Sequence, residues 1–222
     1  MIKPQVALPL CIPLVLAKRF RLLSVAAGLC CLSLWFVSMK IGTSPWRLLW
    51  QIKDIGAPYM GVPHYVDGTY LLFYGLKKIG GTLAVTAWSV LVLCLTTYLS
   101  WLVRNNKSWF VRFMPAAAAI PFWNYSQSHD GIILLVALTG VFSVADALPR
   151  ERRPRWLAAS CWALFASAMF CSLWSLLTFG IFYGTLDPTG IGWIYRATQF
   201  FWFAVVLVLS VWATLAAGKI DR

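Results

Sequence analysis

The 222 residues contain two histidines, and each stands close to an aspartate. The first pair lies in Pro63-His64-Tyr65-Val66-Asp67-Gly68, the second in Ser126-Gln127-Ser128-His129-Asp130-Gly131. A carboxylate at an apolar boundary can act as a general base toward an acceptor hydroxyl. Asp67 and Asp130 could also hold a divalent cation, Mg or Mn, through oxygen ligands, with a phosphate completing the shell. His129 would assist Asp130, and His64 would contact the substrate beside Asp67. Lys77, Lys78 and Arg196 could neutralise the phosphate of a lipid headgroup. Each residue also has a plain structural use. Asp67 precedes a helix expected at Thr69 and suits an N-cap. Asp130 stands where a helix dipole favours negative charge. The histidines can be ordinary interfacial side chains, and a histidine-bound metal lacks a third clear nitrogen or sulfur ligand.

The rest of the chain decides where such chemistry could sit. It is 60% hydrophobic and 12% charged with mean hydropathy +0.74, against roughly 25% charged in soluble domains. Several apolar runs reach the ~18 residues needed to cross a bilayer. The fold expected is all-α: a polytopic helical membrane protein, one integral membrane domain over 1–222, with about six spans. The net charge of +12 does not point to nucleic acid. The basic residues fall in short groups between apolar runs, where orientation signals lie, with no extended basic face. The six cysteines lie inside apolar runs with no CxxC pair, as small buried apolar residues do.

The expected spans are 22–39, 82–103, 109–125, 131–148, 157–184 and 198–217. Residues 5–17, interrupted by Pro9 and Pro13, are too short and too broken for a standard span; they read as a lead-in lying on the membrane. Between the first two spans, residues 40–80 form the longest polar stretch. Trp46, Leu49, Trp50 and Lys53 recur there at helical spacing, as in a helix lying in the interface. A second interfacial helix from Thr69 to Lys78 stops at Gly80-Gly81. Thirteen of the 19 Lys and Arg fall on the side that holds both termini. The positive-inside bias makes that side cytoplasmic, in an inner or plasma membrane. Residues 40–80, 126–130 and 185–197 then face outward. No span carries a charge at its centre and no internal repeat is visible, which disfavours a pump, channel or transporter.

This order of features resembles the N-terminal module of the GT-C membrane glycosyltransferases, which use polyprenyl- or dolichyl-phosphate-linked sugars. Asp67-Gly68-Thr69-Tyr70 resembles the acidic and aromatic pattern of their first outer loop. The stretch from Pro121 to Gly131 resembles the region before their fourth span, which supplies a second acidic residue. The resemblance covers about residues 20–160. It implies a membrane protein that handles a polyprenyl-phosphate-linked sugar on the outer face, with glycosyl transfer as the activity and Asp67 as base or metal ligand. Departures are the shorter chain, the missing adjacent Asp-Glu pair in the first loop, and no family motif in the last two spans. The rival is a non-catalytic accessory subunit of a larger membrane-protein partner. Thirteen tryptophans and small-residue runs at Ala26-Ala27-Gly28 and Ala116 to Ala119 suit helix association.

The topology has a direct check. Impermeant thiol reagents should label single cysteines introduced at 64–67 and at 126–130 from outside the cell. Labelling of either stretch only after permeabilisation would overturn the shared outer site.

Overall fold

Proline suits the first turn of a helix, where its missing N–H has no partner to lose, and Pro4 opens α1, Pro4–Leu16. The computed structural model describes residues 4–48, 70–123, 133–149, 157, 160 and 189–220. It carries α1 through Pro9 and Pro13 without interruption. The two prolines are one turn apart, share a face and are buried. α1 packs on α3, Tyr70–Leu102, and α4, Trp109–Trp123. The expected broken lead-in is therefore an ordered helix of the bundle. Burial makes this tolerable, because neighbouring helices shield the carbonyls that proline leaves unpaired.

A three-residue turn links α1 to α2, Phe20–Ile41. Lys18 takes a left-handed conformation with φ 54°. Its N–H donates to the Val15 carbonyl at 2.9 Å, and the Arg19 N–H to the Leu14 carbonyl at 2.9 Å. These are the two bonds of a Schellman cap. The same device ends α2, with Gly42 at φ 71° and the Thr43 N–H donating to the Ser38 carbonyl at 3.1 Å. Ser44 then caps a new helical turn at 45–48: its hydroxyl accepts from the Arg47 N–H at 3.2 Å, with Pro45 in the first position. The remainder of the expected interfacial helix lies outside the described residues.

The core forms where α4 and α5, Leu134–Ala147, cross beneath α3 and α6, Thr189–Ile220. α4 is buried on every side from Met114 to Phe122, which its run of four alanines permits. On α5 the buried positions Leu134, Ala137, Gly140, Val141, Val144 and Ala145 recur at three and four residues, as one helix face must. Gly140 marks the closest approach. A Cβ there would lie 2.7 Å from the Met114 Cβ and 2.7 Å from the Phe110 carbonyl oxygen. Gly218 of α6 lies beside Leu102 of α3, so these two helices end together. Leu157 is also buried in this core. Among the described residues there is no strand.

Three helices are long and apolar enough to cross a membrane: Phe20–Ile41, Leu72–Leu102 and Phe200–Gly218, with 22, 31 and 19 residues. A hydrocarbon layer needs about 20. Only 6%, 11% and 39% of their most apolar stretches is buried. A surface of this area and polarity is stable against lipid and not against water, so the chain is an integral membrane protein. α4 and α5, at 15 and 14 residues, are about 22 Å long, shorter than the layer. Of the expected span 157–184, only residues 157 and 160 are described.

Gly140→Ala should lower stability by about 1–3 kcal/mol, the usual range for overpacking. Gly28→Ala, with nothing within 4 Å of its Cβ position, should be neutral or stabilising by up to about 1 kcal/mol. Denaturant unfolding in micelles measures both, and equal effects would contradict the close crossing.

Candidate functional site

Of the seven candidate residues, His64, Asp67, His129 and Asp130 lie outside the described residues. Lys77, Lys78 and Arg196 lie on described helices. Lys77 and Lys78 are exposed near the end of the first leg of α3. The Lys78 ammonium stands 4.8 Å from the centre of the Tyr74 ring, one turn earlier, a cation–π contact along one helix face. Two residues later the helix breaks. Gly80 is at φ −142° and Gly81 at φ 62°, ψ −149°, the latter open in practice to glycine alone. A Cβ on Gly80 would also meet the Ala84 Cβ at 2.7 Å. The leg that carries both lysines is thereby set at its own angle to residues 82–102, while Leu72 rests against the core.

The end of α4 is tied to α3 by two side chains. Trp88 Nε1 donates to the Phe122 carbonyl at 2.7 Å, and the Ser89 hydroxyl to the Trp123 carbonyl at 2.7 Å. These carbonyls belong to the last turn of a helix and have no partner within it. The pair therefore caps α4 in trans where the chain leaves toward residues 126–130. Phe122 also packs edge-on against Phe200 of α6, with centroids 6.0 Å apart at 69°. Arg196 is one helical turn before Phe200. The α4 terminus thus meets α6 at Phe200, one turn after Arg196 in the chain, and the lysine leg leads into the helix that holds Trp88.

The opposite end collects the basic residues of the α1–α2 and α3–α4 turns. Arg19 of the α1–α2 turn lies over the Trp109 ring at 5.6 Å, beside Arg112 at 4.9 Å. Arg104 covers Trp101 at 4.3 Å. Lys18, Arg21 and Lys107 are exposed around them. The two polarities of the bundle are distinct.

Sequence reasoning missed the Trp88 and Ser89 caps, whose partners are 34 residues away. It also missed four buried hydroxyls, Thr96 and Ser100 on α3 and Ser210 and Thr214 on α6. Thr96 and Thr214 each donate back to the carbonyl four residues earlier at 2.7 Å. Their spacing of four along apolar helices was the available signal. Among the described residues, no group of three His, Cys, Asp or Glu side chains could hold a metal ion. The described cysteines, Cys11, Cys30, Cys31 and Cys94, are free thiols.

No family model matches the chain, and neither does a curated protein or a solved structure.

Trp88→Phe and Ser89→Ala should each cost about 0.5–1.5 kcal/mol, the net worth of a hydrogen bond lost from a helix end. Unfolding in micelles measures this. An unchanged stability in both variants would mean the α4 carbonyls find other partners.

Proposed function

We propose that this integral membrane protein handles a polyprenyl-phosphate-linked sugar at the end of the bundle formed by Trp123, Phe200 and the leg before Gly80. Glycosyl transfer is the chemistry this reading carries. Support comes first from the Phe122–Phe200 contact, because it joins the helix leading to His129 and Asp130 with the helix bearing Arg196. Lys77, Lys78 and Arg196 would neutralise the phosphate; Asp67 and Asp130 would act as base or as ligands of a divalent cation, with His64 and His129 beside them. Transfer of the sugar to an acceptor hydroxyl breaks its bond to the lipid phosphate, so cations at the boundary would stabilise the departing polyprenyl phosphate and a carboxylate would take the hydroxyl proton.

In this reading there are six spans, and the basic end faces the cytoplasm by the positive-inside bias. α2 leads outward from it. Both termini belong to that cytoplasmic side in this reading, and α1, about 20 Å long, joins the basic end through the turn at Lys18.

A second reading, an accessory subunit doing no chemistry, is favoured by α2. Only 6% of its apolar stretch is buried, and Ala26, Ala27 and Gly28 are exposed, so the small-residue run expected to join helices has no neighbour among the described residues.

The two readings separate on Asp67→Asn and Asp130→Asn, measured for transfer of a lipid-linked sugar in membranes and for protein abundance. Loss of transfer by roughly a hundredfold or more at normal abundance, typical for removal of a general base, supports chemistry. Unchanged transfer at normal abundance removes it.

A further inference from the structure

At the basic end, two segments separated by about ninety residues of chain place guanidinium groups on one indole. Arg19 belongs to the turn closed by left-handed Lys18, and Arg112 to the first turn of α4. Both lie within 5.6 Å of the Trp109 ring centre. The Arg112 Nε donates to the Asn106 carbonyl, and the Asn106 side chain accepts from the Ser108 N–H at 3.0 Å. The turn before α4 therefore fixes one guanidinium in advance. Like charges gathered in this way repel, and the ring offsets this only in part. The sequence supplies little counter-charge: the segments assigned to this end hold thirteen Lys and Arg against Asp146, Glu151 and Asp221.

We propose that Arg19, Trp109 and Arg112 form a binding site for the headgroup phosphate of an anionic phospholipid. The surroundings select a lipid over other anions. Trp109 is 40% exposed, and Phe20, Leu22 and Phe110, each within three residues of one of the arginines, are 59%, 51% and 49% exposed. A nucleic acid or an acidic peptide would satisfy the guanidiniums and leave these side chains in water. A phospholipid satisfies both, with its phosphate between the arginines and its acyl chains along Phe20 and Phe110. Lys18, Arg21 and Lys107, all exposed, extend the positive field around the pair. This site is at the opposite end from the sugar-phosphate reading and does not rest on it.

The test uses the full chain in detergent, with binding of phosphatidylglycerol and of phosphatidylcholine of equal chain length followed by native mass spectrometry. The wild-type protein should prefer phosphatidylglycerol. Arg19→Gln and Arg112→Gln should each reduce that preference about fivefold, from about 1 kcal/mol per basic residue at the surface. Arg19→Gln changes an exposed turn residue and serves by itself where Arg112→Gln does not fold. Trp109→Leu, which keeps every charge, should also weaken the preference. Lys40→Gln with Arg47→Gln, a loss of two charges at the far end of α2, should leave it intact. The proposal is overturned by an equal loss in that distant pair, by full preference in Trp109→Leu or Arg19→Gln, or by inorganic phosphate or an oligonucleotide binding with the same dependence on Arg19 and Arg112.

Discussion

A hydrocarbon layer contains no water to pair with backbone N–H and C=O groups, so every such group must be met from within the protein. The arrangement of this chain follows from that constraint. Pro9, Pro13, Pro115 and Pro121 each remove a donor from a helix interior. All four are buried. The long helices that present their sides to the surroundings, α2, α3 and α6, have no internal proline. Helices with internal proline keep those prolines packed inside, and the helices that face outward carry none; the break in α3 falls at Gly80-Gly81, which keep their N–H donors. The helix ends obey the same rule, through Schellman bonds at Lys18 and Gly42 and through Trp88 and Ser89 on the end of α4.

Burying α4 has its own requirement. Apolar side chains gain little by leaving lipid for protein, so association in a membrane rests on close packing of small surfaces. Four successive alanines on α4 and Gly140 on α5 let the backbones approach where bulkier residues would hold them apart. The tight crossing keeps α4 central, and a central α4 fixes where its two ends emerge. One end carries Trp109 and the arginines, the other Trp123 and the chain toward Asp130.

Membrane class and helical content were legible in composition and run length, because lipid imposes a coarse demand that twenty apolar residues announce plainly. Gly80-Gly81 was legible as a stop, since adjacent glycines weaken a helix wherever they fall. α1 was not. Proline pairs in a sequence signal a break, and only the burial of Pro9 and Pro13 against other helices shows why a helix persists there. The two small-residue runs looked alike in sequence; Ala116 to Ala119 lie in the core, while Ala26 to Gly28 are exposed. Helix propensity and volume are the same in both, and the difference is which neighbours the fold supplies. Of the candidate site, residue types and spacing gave all seven residues; the structure adds that Lys77 and Lys78 are exposed on the leg before Gly80, with Lys78 over Tyr74.

Sequence alone determined that this is a helical membrane protein with its positive charge grouped in turns, since hydropathy and charge are local properties that solvent reads residue by residue. Tertiary structure decided which helices are inside, which carbonyls are capped across helices, and that Arg19 and Arg112 share one tryptophan. These outcomes depend on contacts between residues far apart in the chain, 26 positions for Gly140 and Met114 and 34 for Trp88 and Phe122. No local pattern encodes such contacts, because they exist only when whole helices pack.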